Sequence, residues 1–270
     1  MPRLRFPVPI SIILFLALTF AGTYFVRRLI LRRHFESALA LRDEQTLCRL
    51  LHAWPCPVSP KGEDKFLFWD LAEWAGEDLA GELADCGFDP FIKGHVDDTP
   101  LHRAALHGNT PMARFLVAKG ADVNARNGLE RTPLHEALYG PNPAMSEIVQ
   151  LLVRARAELD PKDTDGRTPL WHAASDEGSI PSLRILISAG ADVNARDKWG
   201  NTPLGSAAYY LHPEAMPPLL DRGADANARN DEGKTVLTLA RTSYPARVKA
   251  AGPKVQQKAI DLLLQHGAKE

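Results

Sequence analysis

A six-residue phrase that returns at a nearly constant interval limits the possible folds of this chain more than any other feature. The phrase first reads Thr-Pro-Leu-His-Arg-Ala from Thr99. Close copies begin at Thr132, Thr168 and Thr202, and a weaker copy begins at Thr235. The successive intervals are 33, 36, 34 and 33 residues. A period of about 20 to 50 residues is typical of chains that stack similar units in a row, each packing against its neighbours.

A second phrase recurs in phase with the first. Gly-Ala-Asp-Val-Asn-Ala begins at Gly120 and Gly190, a near copy begins at Gly223, and Gly267 opens a shortened version. Together the two phrases resemble the ankyrin repeat family, and the resemblance covers about two hundred residues. It implies an all-α ankyrin-repeat solenoid in which each unit is a helix–turn–helix followed by a hairpin finger.

The residue types in the two phrases fit such a unit on physical grounds. Threonine before proline suits a helix start, because the hydroxyl accepts a backbone N–H and proline lacks only an N–H that the first turn leaves unpaired. The glycine of the second phrase suits the left-handed residue that ends a helix. One such unit cannot bury its own apolar face, so its neighbours must cover it.

Changes in composition divide the chain into four parts. We predict a tail and membrane anchor over residues 1–27, a juxtamembrane helical cap over 28–62 and a degenerate ankyrin repeat over 63–97. Five ankyrin repeats then fill residues 98–270, and an insertion at 242–254 interrupts the last of them. The cap is expected because the first repeat of a stack needs an atypical unit to cover its exposed face.

Several positions depart from the repeat pattern, and each predicts a local irregularity. Pro217 and Pro218 fall where the outer helix of the fourth repeat should run, so that helix should be short. Arg156 takes the place of the helix-ending glycine, which predicts strain in that turn. Residues 140–143 lengthen one helix–helix turn, and the closing helix is expected at residues 255–265.

The amino-terminal segment differs from the rest because 21 consecutive residues, Phe6–Val26, carry no charge. As a helix it would be about 31 Å long, close to the ~30 Å hydrocarbon thickness of a bilayer. It therefore predicts a single-pass transmembrane helix ahead of the solenoid, contacting the membrane through residues 6–26. More arginines follow this helix than precede it, and that small charge bias favours a cytoplasmic main domain. The arginines that flank the predicted helix are Arg3 and Arg5 before it, and Arg27, Arg28, Arg32 and Arg33 after it.

A cleaved signal peptide is the alternative interpretation of the same segment. Residues 10–20 supply an apolar core, and residues 19–21 (Thr-Phe-Ala) match a small-residue cleavage pattern. Cleavage after Ala21 would yield a secreted or periplasmic soluble binder that neutralises or supports a partner enzyme. An uncleaved helix would instead yield a membrane-tethered adaptor, and the sequence leaves both open.

Charge and residue chemistry exclude several classes of function. The chain has 32 Lys and Arg against 33 Asp and Glu, so it lacks the basic excess of a nucleic-acid-binding protein. Its three cysteines include no C-x-x-C pair, which argues against a disulfide scaffold or a zinc site. No complete P-loop, H-E-x-x-H or G-x-S-x-G motif occurs either. We therefore predict no enzyme activity, no cofactor, no metal, no nucleic acid and no small-molecule substrate.

The fourth residue of the first phrase is a histidine in two repeats, His102 and His135. The resemblance implies that this framework histidine hydrogen-bonds the backbone between neighbouring repeats and has no chemical role. Trp171, Gly205 and Thr238 replace it in the later repeats. The link between repeats that the histidine would provide is therefore expected to be weaker in those later repeats.

The resemblance also implies a concave surface, formed by finger tips and inner helices, that binds a protein partner. Trp, Tyr and Arg dominate the energetics of protein interfaces, so exposed residues of these types are the first candidates. Trp199 stands out, because an indole exposed at a finger tip needs a reason. The predicted protein-binding residues are Arg126, Leu129, Arg196, Lys198, Trp199, Tyr209, Tyr210 and Arg229.

Overall fold

The computed structural model describes residues 36–51, 67–139, 145–243 and 252–269, which contain α-helices and no β-strand. Residues 36–40 are helical, and short 3-10 helices occupy His95–Asp97 and Glu177–Ser179. The α-helices that follow residue 40 in this part are α1 Glu44–Leu51, α2 Leu67–Leu71, α3 Glu77–Asp85, α4 Pro100–His107, α5 Thr110–Ala118, α6 Pro133–Glu136, α7 Met145–Arg154, α8 Pro169–Ala174, α9 Ile180–Ala189, α10 Pro203–Tyr210, α11 Met216–Leu220, α12 Val236–Arg241 and α13 Pro253–Gln265.

Some of the predictions fall on other parts of the chain. The predicted anchor at residues 6–26 lies outside the described residues, as do the lengthened turn at 140–143 and most of the predicted insertion. Among the helices that are described, none is long and apolar enough to cross a bilayer.

The described residues divide into two compact units. The first contains residues 36–51, 67 and 78–89, and Cys48 within it is a free thiol. Its largest fully buried side chains are Leu47, Leu79, Leu83 and Phe88. These apolar side chains give the first unit a small core of its own.

The second unit contains residues 68–77 and the described residues from 90 onward, including five helix pairs that we number repeats 1 to 5. The inner helices are α4, α6, α8, α10 and α12, and the outer helices are α5, α7, α9, α11 and α13. A threonine precedes each inner helix, and in four repeats its hydroxyl accepts the amide hydrogen bond of the residue three positions on. This N-cap explains why those four inner helices begin directly after that residue. The four capping threonines are Thr99, Thr168, Thr202 and Thr235.

A ladder of leucines forms the core of the second unit. The leucine of the repeated phrase is at most 1% exposed in all five repeats. Fully burying such a side chain stabilises a fold by roughly 1.5–3 kcal/mol, and here the neighbouring repeats supply the burial. The five residues are Leu101, Leu134, Leu170, Leu204 and Leu237.

The fingers are tight turns, and finger n is the hairpin that precedes repeat n. In fingers 2 to 5 an Asp or Asn side-chain oxygen accepts the amides two and four residues on. Main-chain hydrogen bonds of 3.0–3.1 Å then join finger 2 to 3, finger 3 to 4 and finger 4 to 5. The finger tips are therefore held in one row. The turn-forming residues are Asn127, Asp163, Asp197 and Asn230.

The predicted irregularities are present where they are described, with one boundary corrected. The outer helix α11 has only 5 residues, as Pro217 and Pro218 predicted. Arg156 is left-handed, with a φ of 63°, at the position where other repeats carry glycine. The closing helix α13 begins at Pro253 and not at Val255, because proline suits the first helical position and its missing N–H costs nothing there.

The shortened second phrase near residue 267 packs like its complete copies. Asn194 donates from Nδ2 to the carbonyl of Gly223 at 3.1 Å, and Asn227 donates in the same way to the carbonyl of Gly267 at 3.2 Å. The end of α13 is therefore stacked on the preceding repeat by the bond that links the earlier units.

Candidate functional site

A pocket of about 250 Å³ opens where fingers 4 and 5 face the inner helices of repeats 3 to 5. We call the surface formed by the finger tips and the exposed sides of the inner helices the finger face, and this opening the finger-face pocket. Trp199 enters it from the tip of finger 4, and Trp171 lines it from α8. Tyr209 and Tyr210 contribute from the end of α10.

Three of the predicted binding residues thus lie together in this pocket. The side chain of Trp199 is 48% exposed, although it is large and apolar. The rings of Tyr209 and Tyr210 are 5.2 Å apart in an edge-to-face arrangement, and Trp171 approaches Tyr210 at 6.3 Å. Edge-to-face pairs of this kind are mutually stabilising, so the tyrosines form an ordered aromatic wall.

Arg167 connects the two tryptophans. Its guanidinium carbon lies 4.2 Å from the ring centroid of Trp171 and 5.3 Å from that of Trp199. One of its terminal nitrogens also pairs with Asp165 at 3.0 Å. A guanidinium between two indoles is held by cation–π attraction, so Arg167 holds the tip of finger 4 close to Trp171 on α8.

The other five predicted binding residues do not line the pocket. Arg126 donates from Nη1 to the carbonyl of Lys162 at 2.9 Å, so it ties finger 2 to finger 3. Arg229 donates from Nη1 to the carbonyl of Gly233 at 2.9 Å within its own finger. The remaining three are exposed on fingers 2 and 4: Leu129, Arg196 and Lys198.

Sequence reasoning had not assigned Trp171, Gly205 or Ser206 to a binding surface, yet all three line the pocket. Trp171 and Gly205 were visible as replacements of the framework histidine. By themselves these replacements predict only a weaker link between repeats. Ser206 carries no signal in the sequence, because the residue after the framework position differs in every repeat.

A buried polar cluster lies beside the pocket and is formed by repeats 2 and 3 with the fingers that precede them. Asp163 Oδ2 is 2.9 Å from His172 Nε2 and 3.9 Å from Arg131 Nε, and the carboxylate side chain is only 1% exposed. Arg131 also stacks over the ring of Tyr139 at 4.2 Å and lies 3.8 Å from Glu136. A buried carboxylate persists only when it is paired in this way.

Burial and pairing set the charge states in this cluster. Burial by itself would raise the pKa of Asp163, but the hydrogen bond from His172 and the backbone amide bonds bring it to about 2. Burial lowers the pKa of His172 by more than its bond to Asp163 raises it. At neutral pH a neutral imidazole therefore donates from Nε2 to an ionised carboxylate. Burial, together with the nearby His172, lowers the pKa of His135 to about 4.

The two framework histidines act as links between repeats. His102 accepts from Thr99 N–H at 3.2 Å through Nδ1 and donates from Nε2 to the carbonyl of Arg131 at 3.0 Å. His135 makes the equivalent bonds at 3.1 and 3.2 Å. The expected backbone role of these imidazoles is confirmed. Within the described ranges, no three His, Cys, Asp or Glu side chains are placed to hold a metal ion.

Comparison with known proteins agrees with this geometry. A family model of ankyrin repeats in three copies matches residues 70–163, 101–197, 142–230 and 174–269. Neurogenic locus notch homolog protein 1 of Danio rerio is 31% identical over 130 residues, which is 42% of this chain and 5% of that protein.

Two further relatives are similar over shorter segments. An ankyrin repeat protein of Rickettsia felis is 38% identical over 106 residues, 39% of this chain and 42% of that protein. NF-kappa-B inhibitor alpha of Gallus gallus is 34% identical over 92 residues, 33% of this chain and 28% of that protein. This chain therefore covers less than half the length of each of these relatives. Ankyrin repeats indicate protein–protein interaction, and with the family model matching most of its residues this chain belongs to the ankyrin repeat family.

Proposed function

We propose that this chain is a membrane-tethered scaffold whose finger face binds a protein partner at the finger-face pocket. The observation that carries the proposal is Trp199, a large apolar side chain left 48% exposed at a finger tip beside two tyrosines. Burying the exposed part of an indole under a partner would stabilise the complex, and Trp, Tyr and Arg are the residues that dominate such contacts.

The tip of finger 4 is ordered before any partner arrives. Trp199 N–H donates to Asp197 Oδ1 at 2.9 Å, and its carbonyl accepts from Asp231 N–H at 3.0 Å. The Arg167 guanidinium contacts the ring itself. A partner that covers this tip would have few groups of finger 4 to immobilise. Binding would therefore lose little conformational entropy in this chain, which favours affinity.

Site-specific photocrosslinking in the full chain tests this proposal. Benzoyl-phenylalanine in place of Trp199 should give a discrete crosslinked protein in intact cells. The same probe in place of Leu264, which is also 48% exposed but lies on the outer helix α13, should not. Equal crosslinking from both positions, or crosslinking from position 264 alone, would show that the partner does not contact the finger face.

The tether is supported by the 21 uncharged residues from Phe6 to Val26 and the arginines that flank them. The full chain should stay with the membrane fraction in alkaline carbonate and in high salt, because about 20 apolar residues insert stably in a bilayer. Deleting residues 1–33 should release the repeats into the supernatant. Complete release of the intact chain by high salt would contradict the tether.

A secreted or periplasmic binder is the second candidate, and the small residues around Ala21 favour it. Amino-terminal sequencing of the mature protein separates the two candidates directly. Gly22 as the first residue would establish cleavage and favour the secreted form, whereas an amino terminus upstream of Phe6 would favour the tether.

A further inference from the structure

One polar side chain ties each unit of the stack to the next at four junctions. We call it the link residue, and it lies four positions after the left-handed residue that ends the preceding helix. Its side-chain oxygen accepts a backbone amide of the next unit at 2.7–3.0 Å. At two junctions its side-chain nitrogen also donates to a carbonyl of that unit, at 3.1 and 3.2 Å. The four link residues are Asn124, Asp160, Asn194 and Asn227.

The junction before these four has Phe91 at the link position, four residues after the left-handed Gly87. A phenyl ring offers neither the oxygen acceptor nor the amide donor that a link residue supplies. The groups that a link residue would pair here are Asp122 N–H and the Gly120 carbonyl. Neither group has a hydrogen-bond partner in the part of the chain that the structure describes. At two later junctions one carboxamide reaches both equivalent groups, so a single side chain can pair them here as well.

A cavity of about 580 Å³ lies at this junction, and we call it the link pocket. Gly120 and Asp122 line it, and both residues are exposed, so their backbone groups are accessible to a ligand. Pro90, Phe91 and Leu101 also line it and give it an apolar wall. The link pocket therefore combines an apolar wall with one backbone donor and one backbone acceptor, which is the usual composition of a binding site.

The charges around the link pocket balance, which favours a neutral ligand. Lys93, Arg126 and Asp122 line the pocket, and Arg126 already lies 3.3 Å from the Glu130 carboxylate. A ligand carboxylate could accept from Asp122 N–H, but it would leave the Gly120 carbonyl unpaired and would be repelled by the Asp122 side chain. An ammonium or guanidinium group would leave Asp122 N–H unpaired, because these groups only donate. A carboxamide supplies both the acceptor and the donor and carries no charge.

We propose that the link pocket binds the carboxamide of an Asn or Gln side chain from a segment of another protein, which replaces the link that Phe91 does not make. The later junctions of this chain are the precedent, because three of their four link residues are asparagines. Residues 1–35 and 52–66 contain neither Asn nor Gln, so those stretches of this chain cannot supply the group. The link pocket shares no lining residue with the finger-face pocket, so this inference goes beyond the proposed function and does not depend on Trp199.

A peptide library displayed on phage and selected against the full chain in detergent micelles tests this proposal. The enriched peptides should share an Asn or Gln at one position. A synthetic copy with Leu there should bind about tenfold more weakly or worse, because it forms neither hydrogen bond. A copy with the corresponding acid, Asp or Glu, should also bind more weakly, because it cannot donate to the Gly120 carbonyl.

Two variants and one spectroscopic measurement locate the contact. Phe91→Asn restores the link within the chain and should abolish binding of the peptide, whereas Leu264→Asn adds the same side chain at an exposed site on α13 and should not change it. In nuclear magnetic resonance spectra of the unmodified chain, the peptide should shift the amide signal of Asp122. The amide signal of Asp225 is the internal control, because Asn194 already accepts from it at 2.9 Å, and it should not shift. If Phe91→Asn fails to fold, these two amide signals decide the question.

The possible outcomes separate this inference from the proposed function. Peptides that lack a shared carboxamide, that still bind Phe91→Asn, or that shift both amide signals equally overturn the carboxamide site. Selection of no peptide overturns it as well. Peptides that Trp199→Ala loses and Phe91→Asn retains would belong to the finger-face pocket, so they would support the proposed function and overturn this inference.

Discussion

Trp199 and Leu129 occupy the same position in fingers 4 and 2, two residues after the turn-forming Asp or Asn. Their side chains are 48% and 43% exposed, so finger geometry presents both to solvent to a similar extent. Only Trp199 lines the finger-face pocket and contacts Arg167, at 5.3 Å. The fingers therefore differ in the residue at the tip and in the groups that this residue contacts, which for Trp199 include Arg167.

Replacing Trp199 with alanine should weaken partner binding about thirtyfold or more, since a buried interface tryptophan contributes about 2 kcal/mol or more. The melting temperature should fall only slightly, because the ring adds one exposed cation–π contact and no core packing. Leu129→Ala is the matched control at the equivalent tip and should leave binding nearly unchanged. A large loss of stability with intact binding would mean that Trp199 serves the fold.

Arg156 offers a test of backbone strain at a single residue. A non-glycine residue in the left-handed region costs roughly 1–2 kcal/mol, and the flexibility of glycine in the unfolded chain offsets part of this. Arg156→Gly should therefore raise the free energy of unfolding by about 0.5–1 kcal/mol in urea titrations. Gly190→Arg is the reciprocal control: Gly190 has a φ of 102° with no atom within 4 Å of an added Cβ, so strain alone should lower stability. No change in either variant would contradict the strain interpretation.

At the scale of elements, fingers and inner helices are joined by polar side chains as well as by apolar packing. Finger 3 supplies Asp163 and α8 supplies His172, and the 2.9 Å bond between them fixes the finger against its own helix. The framework histidines extend the connection to the next finger. Each of these imidazoles is buried and neutral, so the connection between elements depends on pH.

Lowering the pH should destabilise the repeats in two steps. The folded-state pKa values of His102, His135 and His172 lie below the ordinary 6.5, with His135 at about 4. The unfolded chain therefore binds protons that the folded chain excludes, and stability falls as the pH drops from about 6.5 towards 4. Asp163, with a pKa of about 2 against an ordinary 3.8, adds a further loss below about pH 4.

Urea midpoints between pH 7.5 and 4.5 measure the first step. His135→Gln should make the free energy of unfolding less dependent on pH, because one of the three titrating imidazoles is removed. The contribution of His135 to this pH dependence is of order 3 kcal/mol. Equal stability at pH 7 and pH 5 in the unmodified chain would contradict the buried neutral state of these histidines.

For the molecule as a whole, stability is distributed along the stack and not concentrated in one core. Each repeat covers the apolar face of the next, so a weak unit lowers the local cost of opening without unfolding its distant neighbours. Repeat 4 has the shortest described outer helix, α11 with 5 residues, and its Pro217 and Pro218 lack amide donors. Repeat 1, by contrast, has inner and outer helices of 8 and 9 residues with both N-caps made.

Native-state hydrogen exchange should therefore be fastest from about Tyr209 to the carboxyl terminus and slowest in residues 99–120. The difference in exchange rate should reflect local opening. It should diminish at denaturant concentrations at which global unfolding dominates exchange. Mass spectrometry of peptic fragments can resolve the two regions. Stronger protection in repeats 4 and 5 than in repeat 1 would show that the short α11 is compensated by its neighbours.

The sequence by itself determined the number and phase of the repeats, the start of each inner helix at a threonine, the short α11 and the left-handed turn at Arg156. These features depend on capping, turn and proline chemistry within a few residues, which a single sequence displays. Only the tertiary structure placed Arg167 between Trp171 and Trp199, paired Asp163 with His172, and brought Gly205 into the lining of the finger-face pocket. Those contacts depend on how each finger and helix packs on the rest of the stack, and residue types and intervals do not specify that packing.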